Sequence, residues 1–96
     1  MDEKKEIKIN VPPGIVGGVY SNGVRIHHTQ EEFMLDFIII APEGGVVNSR
    51  VFVSPGHVKR MIKALQDNVK QYESKFEIIK EAKPLKGIID TKIKPA

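Results

Sequence analysis

From Val58 onward the apolar residues Val58, Ile62, Leu65, Val69, Tyr72, Phe76 and Ile79 recur at spacings of 4, 3, 4, 3, 4 and 3. This is an a/d seam, the pattern of a helix that buries one narrow stripe. Its start is marked by Ser54, a residue type that caps helix N-termini, and by Pro55, whose fixed φ suits the first helical position. Pro84 ends any helix. A helix from Ser54 to Ile79 would be about 37 Å long at ~1.5 Å per residue. Strands of about eight residues span only roughly 27 Å. Such a helix overhangs any sheet the rest of the chain can build. A second subunit is the simplest cover for the excess seam, so the pattern predicts a homodimer.

Upstream of the helix the period changes to two. Ile7, Ile9 and Val11 alternate with Lys8 and Asn10, which predicts a short half-buried strand closed by Pro12-Pro13-Gly14. A second strand is predicted over 19–28, with Gly17-Gly18 as a bend before it. "EEFMLDFIIIA" reads as a third strand, apolar on both faces toward its end. Pro42-Glu43-Gly44-Gly45 is hairpin chemistry, and "VVNSRVFV" reads as a fourth strand. The expected fold is therefore α+β: a four-stranded antiparallel sheet followed by one long helix (ββββα), in an intertwined or side-by-side homodimer. Residues 1–83 form the domain and 84–96 a basic, mobile tail.

If Ile26 pairs with Phe33, then Tyr20, Val24, Ile26, Phe33, Leu35, Phe37 and Ile39 share one face. Val47, Val51 and Val53 join them if the turn centres on 42–44. This apolar face is expected to receive the helix. The second face carries Arg25, His27, Met34, Asp36, Ile38, Asn48, Arg50 and Phe52. There Asp36 falls opposite Arg50 and diagonal to Arg25, and opposite charges across strands stabilise a sheet. One reading is a structural ion pair between Asp36 and Arg50. The other is a binding face that presents Arg25 and Arg50.

Composition excludes several chemistries. The 96 residues suit one domain, and with no cysteine there is no disulfide framework, thiolate metal site or cysteine nucleophile. No apolar run approaches the length of a membrane span or signal core, so a soluble cytoplasmic protein without membrane contact is expected. His27 and His28 point to opposite faces of a strand and cannot share one ion, so no metal site is read. Ser54 and His57 have the residue types of a nucleophile and base, but they also fit a helix cap followed by a histidine. "PPGIVGG" lacks the lysine of a phosphate-binding loop. Neither an enzyme nor a cofactor is expected.

The net charge of +3 sits on the C-terminal end, where residues 80–96 hold five lysines against Glu81 and Asp90. A second basic cluster opens the helix. His57, Lys59, Arg60 and Lys63 precede the first acid, Asp67, although cations there oppose the helix dipole. With Ser54 and the N–H groups of Gly56 and His57 they could bind an anion. Two partner classes follow besides a second copy. One is single-stranded nucleic acid, with Arg25, Arg50, Lys59, Arg60 and Lys63 on phosphates and Phe52 stacking on a base. The other is an unidentified protein covering the second sheet face, a reading favoured by the neutral balance of residues 1–79.

Several separated motifs also carry a resemblance. Tyr20-x-Asn22, Glu32-Phe33-x-Leu35-Asp36-Phe37, Ser49-Arg50, Ser54-Pro55-x-His57-x-Lys59-Arg60, Ala64-Leu65 and Asn68 followed by Tyr72-Glu73 resemble the small prokaryotic family called domain of unknown function 3467. The resemblance covers about residues 17–79. It departs at Ser21, where a small apolar residue is expected, and at Glu77, where glycine is. It implies a bacterial or archaeal origin and brings no activity with it. In architecture, four strands and a long helix in a dimer are similar to the single-strand binders of the coactivator PC-four and Whirly class, an analogy that does not establish function.

Overall fold

The computed structural model describes residues 6–85. Strands β1 (Gly23–His28), β2 (Phe33–Ala41) and β3 (Gly44–Val53) are followed by one helix, α1 (Pro55–Lys75). The strands form an antiparallel sheet in the order β1-β2-β3. The fold is α+β, an antiparallel sheet followed by one long helix. Among the described residues the sheet has three strands, not the expected four.

The missing strand is the Ile7–Val11 segment, which joins no ladder and lies outside the sheet, with Ile7 82% and Ile9 83% exposed. Alternation gives a segment two distinct faces, but a strand also needs a neighbour for its N–H and C=O groups. Among the described residues no strand supplies one. After this arm the chain turns through Pro12 to Gly18, where the Ile15 N–H bonds the Pro12 carbonyl and the Gly18 N–H bonds the Ile15 carbonyl, both at 2.9 Å. Gly18 has φ 69°, a value that favours glycine.

The next strand was expected from Val19 and begins at Gly23. Asn22 explains the late start. Its own N–H bonds the Ile38 carbonyl at 3.0 Å. Its side chain then accepts from the Ile40 N–H at 2.8 Å and donates to the Ile40 carbonyl at 3.0 Å. A side-chain amide thus replaces a residue of backbone as the partner of Ile40, and the chain upstream is released from the ladder. Glu31 and Glu32, which open the expected third strand, lie in the turn before β2. The β1–β2 turn is held by Thr29, whose hydroxyl accepts the N–H groups of Glu31 and Glu32.

Ile26 pairs with Leu35, and His28 with Phe33, so the register lies two residues from the expected pairing of Ile26 with Phe33. A shift of two keeps every side chain on its face. On the other side of β2 the ladder is broken. Phe37 pairs with Ser49 and Ile38 with Val47, leaving Asn48 as the extra residue of a bulge. Past the bulge the faces of β3 exchange. Val46, opposite Ile39, stands with the Leu35 face, and Val47, opposite Ile38, stands with the Asp36 face. This corrects the expected placement of Val47.

The helix does not cover the Leu35 face as expected. No residue of α1 is buried, and the main tertiary contacts are those of β2 with its two neighbours. The cause is local. Ser54 alone joins β3 to α1, in an extended conformation (φ −73°, ψ 156°). Pro55 disfavours any helical conformation at the residue before it. One extended residue spans ~3.4 Å, too little for the chain to step from a sheet into a layer ~10 Å above it. Val58 and Met61 are half-buried, while Leu65 is 63% exposed.

The helix stops at Lys75 rather than reaching Ile79. Phe76 is its C-cap, and its N–H makes the last helical bond, to the Tyr72 carbonyl at 2.9 Å. The Glu73 carboxylate then accepts the Ile79 N–H at 2.9 Å, which gives the chain past the cap a partner outside the helix. Phe76 and Ile79 of the expected seam therefore follow the helix instead of lying on it. The segment that follows brings Leu85 to the sheet. A Cβ on Gly23 would lie 3.4 Å from Leu85 Cδ1 and 2.9 Å from Ile40 Cδ1, so the absent side chain makes room for both. The expected tail, 84–96, lies beyond the described residues except for Pro84 and Leu85.

Candidate functional site

Two places gather the chemistry expected from the sequence: the centre of the Asp36 face and the start of α1. At the first, the pairings set Arg25 and Arg50 directly opposite Asp36 on the two sides of β2. Arg25 is an immediate neighbour rather than a diagonal one, as the two-residue register change requires. Arg50 donates from Nε to Asp36 Oδ1 at 2.7 Å and from Nη2 to Oδ2 at 2.9 Å. Arg25 donates from Nη2 to Oδ2 at 2.9 Å. The two-pronged contact from Arg50 is the strong geometry for a guanidinium on a carboxylate.

Asp36 is 0% exposed. Among the described residues only it and Leu35 are buried, so an acid occupies the best-covered position in the chain. Burial alone would raise its pKa. The Arg50 hydrogen bonds outweigh that, Arg25 adds to them, and the carboxyl is held well below the usual carboxylate range. The same contact raises Arg50. The side chains of Arg25 and Arg50 keep 24% and 37% of their surface exposed. The cluster is thus a carboxylate roofed by two guanidinium groups, a latch across three strands. Both arginines are engaged, so neither presents a free charge to a phosphate.

At the helix start Ser54 acts as the cap, its Oγ accepting the His57 N–H at 3.2 Å. The hydroxyl meets the backbone of His57 and the ring turns elsewhere. Arg60 Nε donates to His57 Nδ1 at 3.3 Å, which assigns Nδ1 as the acceptor. The pair is arranged for capping, and no base is poised on the serine oxygen. His57, Lys59, Arg60 and Lys63 are exposed along the first turns, and no acid stands in the first turn. Gly56 has open space around it. Phe52 is exposed on the Asp36 face of β3, opposite Met34. The sheet centre and helix start therefore remain separate clusters.

The histidines of β1 also separate. His27 pairs with Met34, and His28 with Phe33, its ring centroid 5.3 Å from the phenyl. Among the described residues no three His, Asp or Glu side chains gather as a metal cluster. Among them no helix is long and apolar enough to cross a membrane.

Sequence reasoning passed over one group of residues. Asn48, at the bulge, donates from Nδ2 to the Tyr20 carbonyl, while Ser21 Oγ donates to the Gly23 and Ile38 carbonyls at 2.8 and 3.1 Å. With Asn22 they stitch the chain entering β1 to β2 and, through Asn48, to β3. The signal was present in Asn48 itself, a residue type depleted in strands, standing inside an otherwise strand-like run.

Comparison with known proteins adds a family and no activity. The family model described as a protein of unknown function (DUF3467) matches residues 1–81, a span that includes the latch, the stitch and the helix. No curated protein and no solved structure matches the chain. The match takes in the N-terminal arm as well as the motifs around Asp36 and Ser54, and on that extent the chain belongs to the DUF3467 family.

Proposed function

We propose that the protein is a non-enzymatic assembly module that works as a homodimer. The observation behind this is the amount of uncovered surface. The chain exposes 9427 Å², where a compact monomer of its mass exposes ~5,500 Å². Assign the residues outside the described range the full accessibility of an unfolded chain, and an excess of roughly 2,000 Å² still remains. Much of the exposed surface is apolar and includes Val24, Ile26, Ile62, Leu65 and Val69. Two such surfaces meeting would bury about 4,000 Å², within the range of obligate dimers. Sedimentation at micromolar concentration tests the reading. A species of twice the chain mass is expected; a folded monomer overturns the proposal.

One observation favours a second reading, the binding of single-stranded nucleic acid. Lys59, Arg60 and Lys63 stand exposed where no acid balances them in the first turn of α1. With Arg25 and Arg50 engaged by Asp36, these three and Phe52 carry that reading. Anisotropy titration of a labelled single strand at low salt decides it. Binding that falls steeply with salt and is lost in Lys59→Glu/Arg60→Glu supports it. Absence of binding to any single- or double-stranded pool leaves assembly alone.

A further inference from the structure

We infer that the N-terminal arm, Ile7–Val11, pairs as a fourth strand with the free edge of β3 in a second copy of the chain. The inference rests on the homodimer reading and specifies how the copies join. Two unsatisfied features carry it, and each is the complement of the other. The arm has the period-two pattern of a strand, three β-branched residues on one face, and no strand partner among the described residues. β3 is the longest strand, and it lies at an edge of the sheet.

Natural sheets guard such an edge with proline, lysine or inward-pointing charge. β3 has no proline and no lysine, and its one charged side chain, Arg50, is turned onto Asp36. Its bulge at Asn48 is tied down by the Tyr20 carbonyl. The edge is therefore long, free of proline and lysine, and open on either side of the bulge, a condition in which another strand can add to it. The opposite edge, β1, is shorter and carries Arg25, His27 and His28, which makes it the poorer acceptor.

The arm stands apart from the sheet behind the Pro12–Gly18 turns, so it is placed to reach outward. A two-fold axis lets each copy give one arm and receive one. Both edges are then filled, and the assembly closes at two instead of growing into a filament. Each sheet gains the fourth strand that the sequence pattern carries, supplied by the partner.

The test uses the full chain. Isotope-labelled and unlabelled copies are mixed, and contacts between subunits are read by isotope-filtered nuclear Overhauser spectroscopy. Inter-subunit contacts from Ile7, Ile9 and Val11 to residues of β3 are expected. Ile9→Pro removes a ladder donor and should raise the dimer dissociation constant roughly tenfold or more. A dimer whose arm shows no inter-subunit contact, or in which β3 meets β3 of the partner, overturns arm exchange and leaves the homodimer standing. Monomer mass for the wild type overturns both.

Discussion

The centre of the sheet and the seam of the helix handle burial in opposite ways. Asp36 is charged and 0% exposed, yet three hydrogen bonds from Arg25 and Arg50 answer both carboxylate oxygens. The apolar seam of α1 is left largely open among the described residues, with Leu65 63% exposed and no helix residue buried. Within one copy the polar group is satisfied and the apolar groups are not. The pairing of Asp36 needs only neighbouring strands, which short hairpins bring together. Covering the seam needs a surface about as long as the helix, and the one-residue joint at Ser54 keeps the chain's own sheet from serving. The latch therefore belongs to the fold of one chain, and on the homodimer reading proposed above the seam belongs to the assembly.

The largest effect should come from attacking the seam. Val69→Lys with Tyr72→Lys places two charges where an apolar partner is expected, and it should give monomers or unfolded chain. Sedimentation and circular dichroism read the outcome. An unchanged dimer would mean that the seam is solvent-facing surface and the contrast with the sheet is false.

Next is the latch. Asp36→Ala removes the carboxylate that the two guanidinium groups share. Breaking a fully buried pair costs ~3–5 kcal/mol. Both arginines retain access to water, so about 2–3 kcal/mol is expected here. Glu31→Ala, in the exposed turn, should change stability by less than ~0.5 kcal/mol. Denaturant melts of the two variants check the difference.

The latch should also show in acid. A carboxyl whose pKa is lowered on folding adds stability that is fully present above its unfolded value, 3.8. That contribution is lost as pH falls through the unfolded value toward the lower folded one. Wild-type stability should therefore drop below about pH 4, and Asp36→Asn should show less of this loss. The two curves, well apart at pH 7, should converge in strong acid. Parallel curves would mean that the carboxylate charge does not matter to the latch.

A smaller effect is expected at the bulge. Asn48→Ala removes the bond to the Tyr20 carbonyl and should cost ~1 kcal/mol, with little change in dimer mass. A loss of dimer instead would show that the stitch also positions the assembly. Smallest of all, Lys59→Glu/Arg60→Glu should raise stability by a few tenths to ~1 kcal/mol, because acids suit the helix start. Thermal melts would register it.

The period-two pattern placed the residues of β1, β2 and the part of β3 after the bulge on their faces, and this survived a register error of two because strand faces repeat every two residues. The period-two and period-3.6 patterns also placed Asp36 among arginines, as well as the Ser54 cap and the apolar seam. Local chemistry explains that legibility, since side-chain direction, capping and hydrophobic spacing all depend on near neighbours. Three features were decided only by tertiary structure. Asn48 forms a bulge because its amide reaches Tyr20, 28 positions away in the chain, and that moved Val47 to the other face. Asn22 replaces a residue of strand because its amide meets Ile40. The arm has the pattern of a strand but joins none, because strand pairing depends on a neighbour as much as on the segment itself. A chain's own sequence specifies which face it can bury; what lies against that face depends on distant contacts, and here, on our reading, on a second copy.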